Sequence, residues 1–282
     1  MTTRSPLVQR LFMVFMLASL AIGFVTLGVL LVNIFSTGWG YVDEALFTNA
    51  TSSNPNRAGA RPAILGTIEI MLLLLVMSVP IGVATALYLE EYTNRTSRFA
   101  RLLELNIQNL AAVPSIVYGI LGLAFIVRGP LGTGRILLAG ALTLTLLVLP
   151  TVIIASREAI RAVPDSIRQG SLALGATRWQ TIWRQVLPAS IPGIATGSIL
   201  ALSRAIGETA PLIMIGALAF ITTNPRPFGE FTALPIQIFN WTKESRDEFQ
   251  SLAAAAIIVL LGLLLLLNTA AILIRNRYQK RW

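Results

Sequence analysis

Of 282 residues, 55% are hydrophobic and only 12% are charged, against roughly 25% charged in a soluble domain, so a water-soluble fold is excluded. Without Cys or His the chain lacks thiolate and imidazole metal ligands, disulfides and the usual nucleophile and base pairs. Its two lysines, Lys243 and Lys280, stand outside any glycine-rich phosphate loop, which leaves nucleotide hydrolysis to another protein.

In chain order, Arg4 and Arg10 precede an uncharged run from Leu11 to Val42. That run is far longer than a signal-peptide core, and it predicts a retained first helix over 7–35. Segment 36–62, with SSNPNRAGARP, has turn-forming composition and is expected to be a mobile external loop. A second crossing over 63–89 contains Glu69, expected near the external interface or paired with a neighbouring subunit. Uncharged stretches over 105–127, 136–156 and 249–274 each exceed the roughly 20 residues a crossing needs. A further crossing over 188–223 carries Arg204 and Glu208. Segment 222–250 is expected to be an external loop holding one short amphipathic helix.

The fold class is therefore all-α integral membrane with six transmembrane helices. The expected division is 1–62 as first helix and external loop, 63–275 as the membrane domain, and 276–282 as a basic, aromatic cytoplasmic tail. Of the 22 Lys and Arg, seven (Arg57, Arg61, Arg128, Arg135, Arg226, Lys243 and Arg246) fall outside if the N-terminus is cytoplasmic, Arg204 falls within a crossing, and the remaining fourteen fall inside. This excess obeys the positive-inside rule, places both termini in the cytoplasm, and accounts for most of the net charge of +9 as a topology signal with no nucleic-acid surface implied.

The cytoplasmic segment 156–190 is helical in composition but too polar to insert. Pro164 suits a helix start and Gly175 a left-handed stop, predicting one short helix between them. A second helix over 176–186 then leads into the fifth crossing, so that two short helices form a protruding elbow. Within the fifth crossing, ALSRAIGETAPLIMIGA (201–217) sets Arg204 about 20 Å from the expected start, near mid-bilayer, where a guanidinium is costly. Glu208, four residues on, can pair with it. An intramembrane Arg normally faces a water-filled path, and its fork suits a tetrahedral oxyanion; a simple neutralising pair is the plainer reading. Gly207 and Pro211 permit a local break. Pro80 and Pro114 read first as packing kinks, and in a second reading Ser115 and freed carbonyls line the path.

The run SLALGATRWQTIWRQVLP (171–188) resembles the coupling loop of type I ABC importer permeases, with its E-A-A-x-x-x-G-x(9)-I-x-L-P pattern. Gly175, Leu187 and Pro188 match in spacing, whereas the E-A-A positions hold Gln169, Gly170 and Ser171 and the Ile position holds Gln185. Together with GTIEIMLLLLVMSVPIGVATALYLEEY (66–92), NLAAVPSIVYGILGLAF (109–125), the 201–217 stretch and FTALPIQIFNW (231–241), the chain resembles the PstA type of phosphate transport system permease. The resemblance implies half of a translocation path and a second permease subunit of the PstC type. It also implies two ATP-hydrolysing subunits using ATP and Mg, an external phosphate-binding protein, and a bacterial-type cell membrane, with no cofactor held by this chain. On it rest the expected path residues Arg204 and Glu208 with the neighbouring Ser203, Thr209 and Ser115, and the expected ATPase-coupling residues Gln169, Gly170, Ser171, Gly175, Ala176, Leu187 and Pro188. Elbow displacement would shift the fifth crossing so that Arg204 faces outside, then inside. The competing expectations are a permease for another oxyanion (molybdate or sulfate), and an ATP-independent channel or secondary transporter.

Overall fold

A computed structural model describes residues 6–94 and 97–278; Arg4, Arg95 and positions 279–282 of the expected basic tail lie outside the described residues. Among the described residues, five continuous helical stretches are long and apolar enough to cross a bilayer: Leu7–Tyr41, Arg61–Tyr92, Leu137–Arg161, Arg178–Ile206 and Asp247–Leu273. A sixth is a bent pair, Arg98–Ala111 and Ser115–Val127, turned 100° from one another.

Helix α1 (Pro6–Gly38) is exposed from Leu7 to Leu30. It meets the rest of the chain at its far end, where Gly38 rests on the Ala254 and Ala255 backbone with no room for a Cβ. The short helix α2 (Glu44–Thr48), capped by Asp43, belongs to segment 36–62. That segment is packed and not a loose loop. Leu46, Ala58 and Ala60 are buried beside Leu234, Trp241, Phe249 and Leu252, and Gly59 and Ala60 donate backbone hydrogen bonds to Ala50 and Leu46. Small residues that looked like turn formers serve here as close-packing residues.

The core is built on α3 (Arg61–Leu87), α6 (Leu137–Arg161) and α9 (Leu187–Ile206). Gly82 of α3 lies against Val152 of α6. Along the same face of α6, Gly193 and Gly197 face Ala159 and Ala155, an antiparallel small-residue seam of the kind that lets membrane helices approach closely. Ile70, Leu74, Leu144, Val148, Val152, Ala201 and Ala205 fill the space between the three.

Two expected crossings are not single helices. The run over 105–127 is divided into α4 (Arg98–Ala111) and α5 (Ser115–Leu121, continuing as a π-helical stretch Gly122–Val127). Pro114 is a break and not a kink, because it lacks an N–H and forces Val113 out of helical geometry. The crossing expected over 188–223 ends as a helix at Ile206, with Gly207 as its cap. A five-residue helix, α10 (Ala210–Met214), follows, and the chain turns at Gly216, φ +92°, into an irregular return. That return caps the start of α6, where Leu137 and Leu138 donate to the Gly229 and Pro227 carbonyls at 3.0 and 2.9 Å. Helix α11 (Leu234–Trp241) then leads to α12 (Asp247–Tyr278). The expected amphipathic helix of the 222–250 segment is α11, and it is largely buried.

At the elbow, α7 (Asp165–Ala173) is the expected short helix. The second short helix is a correction: α8 (Arg178–Thr181) runs through a π-helical stretch, Ile182–Val186, straight into α9. The elbow is thus one short helix and the protruding end of a long one.

Candidate functional site

Arg204 sits in the last turn of α9, where the unpaired carbonyls and the dipole favour a cation. A narrow recess beside it is walled by Ala111, Val113, Leu147, Val148, Thr151, Ala201 and Ala205. Leu147 to Thr151 are the central turns of α6, a helix of 25 residues, so Arg204 stands opposite the midpoint of a crossing, about 20 Å from either end. Helices that line a translocation path are often interrupted in this way.

Glu208 lies outside the helix, yet its Oε1 is 3.5 Å from Arg204 Nε. The Arg204 side chain is 69% exposed and that of Glu208 19%. A single long contact on a mostly exposed guanidinium leaves most of its five N–H groups open to an oxyanion.

Other path candidates are distributed around this pair. Ser115 is the first residue of α5, two positions after Val113 of the recess. Thr209 begins α10 and accepts the Ile213 N–H on its carbonyl. Pro211 packs onto Gly119, which presses the segment after Arg204 onto α5. Ser203 is engaged elsewhere: its hydroxyl donates to Asn268 Oδ1 of α12 at 2.7 Å. Glu69 is half-buried on α3, and its Oε2 has no hydrogen-bond partner among the described residues.

The elbow candidates form a second site. Gly175 holds φ +83°, a conformation glycine adopts without steric cost, and Thr177 starts α8 in a capping box with Gln180. Gln169, Gly170 and Gly175 are exposed, Ala176 is half-buried, and Ser171 Oγ lies 2.9 Å from Thr181 Oγ1. Gly170, Ser171, Ala176, Arg184 and Gln185 line an open recess of about 430 Å³. Leu174 is 90% exposed beside it, with Trp179 and Trp183 also exposed. Leu187, half-buried, and Pro188, exposed, are the first residues of α9.

Sequence reasoning missed an ion cluster beneath the elbow. Glu90, whose side chain is fully buried, accepts from Arg157 and Arg161, each at 2.9 Å, and Arg157 reaches Glu104 of α4 at 3.5 Å. Arg168 of α7 grips Glu91 Oε1 through Nε and Nη2 at 3.0 and 2.9 Å. The signal was available: two adjacent acids end one apolar run, and arginines four apart, Arg157 and Arg161, end α6. Counting only basic residues for topology passed over it.

A family model for "Binding-protein-dependent transport system inner membrane component" matches residues 78–280. The chain is 37% identical over 172 residues to a probable ABC transporter permease protein, YqgH, of Bacillus subtilis, covering 59% of this chain and 55% of that one. It is 37% identical to phosphate transport system permease protein PstA 1 of Mycobacterium tuberculosis, covering 64% and 59%. The chain thus spans little more than half the length of these two relatives. Against phosphate transport system permease protein PstA of Yersinia pestis it is 33% identical over 271 residues, covering 94% and 89%. Among solved structures, a bacterial alginate ABC transporter superposes with TM-score 0.70 at 16% identity, covering 93% and 92%. The MetNI methionine ABC transporter, inward facing, superposes with TM-score 0.61 at 18% identity, covering 76% and 92%. These likenesses show a shared fold.

Proposed function

The chain belongs to the binding-protein-dependent transport system inner membrane component family, a multi-pass membrane subunit that is not itself the ATPase, and from that premise we propose that it is the PstA-type permease subunit of an ATP-driven inorganic phosphate importer. The observation that carries this reading is Arg204, an exposed guanidinium at the midpoint of a crossing, held by one long contact to Glu208. Burying a lone charge against lipid costs about 2.5–3.5 kcal/mol on insertion scales; a passing oxyanion offsets that cost. The names of the relatives, PstA of Mycobacterium tuberculosis and of Yersinia pestis, favour phosphate among oxyanions.

In this reading Arg204 and Glu208, with Thr209 and Ser115 nearby, form one wall of the path, and a second permease of the PstC type supplies the other. Ser203 positions α9 against α12. The anion is held briefly, because a tight site midway would trap it. Two partner subunits use ATP and Mg and dock on the elbow at Gln169, Gly170, Ser171, Gly175 and Ala176, with Leu187 and Pro188 passing the movement to α9. An external phosphate-binding protein delivers the substrate, and both termini face the cytoplasm of a bacterial-type cell membrane. ATP-dependent uptake of labelled phosphate by proteoliposomes of the assembled complex tests the reading; stronger competition by molybdate or sulfate than by phosphate, or uptake without ATP, would reject it.

A further inference from the structure

Among the charged side chains of the elbow, Arg168 is the one turned inward, whereas Asp165, Arg178 and Arg184 are exposed. Arg168 is 14% exposed, and its partner Glu91 is 9% exposed. Three elements meet on this guanidinium. Its Nε and Nη2 fork onto Glu91 at the π-helical end of the second crossing, Tyr88–Tyr92. Nη2 also donates to the Ile160 carbonyl at 2.9 Å and Nη1 to the Val163 carbonyl, which closes the end of α6, where helix carbonyls otherwise lack partners. Its own α7 adds Asp165 at 3.1 Å.

α7 also packs on the start of the fifth crossing, where Ile167 lies against the apolar cluster that holds Val186 and Ile194. The Ser171 and Thr181 hydroxyls meet at 2.9 Å, and the covalent link passes through the turn at Gly175. A charge-assisted guanidinium–carboxylate contact with little water nearby is the strongest polar link that α7 makes to its neighbours. Beside it, Glu90 binds Arg157 and Arg161 of α6, so the inner ends of α3 and α6 are already clamped together.

We propose that Arg168 is a positioning residue that passes elbow displacement to the second and fourth crossings as one body through Glu91. This deepens the transport reading and rests on it. Arg168 thereby keeps α3 and α6 in step with the ATPase.

The test uses the full complex in proteoliposomes and two readouts. Because the chain has no cysteine, Ser166→Cys and Tyr88→Cys provide spin labels on α7 and at the end of α3. Their separation should be the same in nucleotide-free and ATP-trapped complex, and should differ between those states in Glu91→Gln. In uptake assays Glu91→Gln and Arg168→Met should keep ATP hydrolysis but move about tenfold less phosphate per ATP, a loss typical of a severed coupling contact. The double variant should be no worse than the poorer single one, and Arg168→Lys should fall between wild type and Arg168→Met. A wild-type separation that changes with nucleotide, or an unaltered ratio of phosphate to ATP in Glu91→Gln, overturns the proposal; Glu91→Gln decides alone if Arg168→Met fails to assemble. Absence of phosphate uptake by the wild type, with the separation constant, counts against the phosphate reading instead.

Discussion

Gly197 of α9 lies against Ala155 of α6 with no space for a side chain between them. Together with Gly193 against Ala159, this contact fixes the register of the two helices, and Arg204, seven residues beyond Gly197, is thereby set opposite the centre of α6. The position of the charge is a consequence of helix packing.

Gly197→Leu therefore separates the helices. Overpacking a close seam costs about 1–3 kcal/mol, and the purified complex should lose thermal stability along with uptake. Unchanged stability would mean that the seam is looser than the contact implies.

Gly175 supplies a left-handed turn at the elbow tip. Gly175→Asp places a Cβ where strain costs on the order of 1–3 kcal/mol and a charge on the exposed surface proposed to meet the ATPase. Co-purification of the ATP-hydrolysing subunits should fall while the permease stays in the membrane; retained partners and transport would remove the docking role.

Glu90 is buried beneath Arg157 and Arg161. Glu90→Ala leaves Arg157, 11% exposed, without its principal counter-charge. Removing one partner of a buried pair costs about 3–5 kcal/mol, so the yield of folded chain should fall steeply in a fluorescence-detected size-exclusion assay, and less so for Glu158→Ala, whose carboxylate is mostly exposed.

Ser203 fastens α9 to α12 through Asn268. Losing that bond costs only about 0.6 kcal/mol on average for membrane helices, and Ser203→Ala should transport at close to the wild-type rate. A severe loss would return the Ser203 hydroxyl to the substrate path.

Charge-free intervals made the crossings legible, since each apolar stretch can be seen one residue at a time. Direction could not be seen that way. The stretch from 105 to 127 is uninterrupted in composition, yet Pro114 turns it by 100°. Similarly, the absence of charge between Glu208 and Arg226 suggested a helix that Gly207, Pro211 and Gly216 do not allow. Gly175 and Pro164 bounded α7 correctly because their effect is local. The Arg168 and Glu91 contact is different in kind, as its partners stand 77 positions apart and are brought together by the packing of α3 on α6.

The central claim is that the Arg204 guanidinium meets the passing anion. The most direct measurement compares labelled phosphate uptake by wild-type and Arg204→Gln complexes in proteoliposomes, with ATP hydrolysis and subunit assembly followed in the same preparations. Uptake should vanish in Arg204→Gln while assembly persists. Uptake at the wild-type rate by an assembled Arg204→Gln complex would contradict the account.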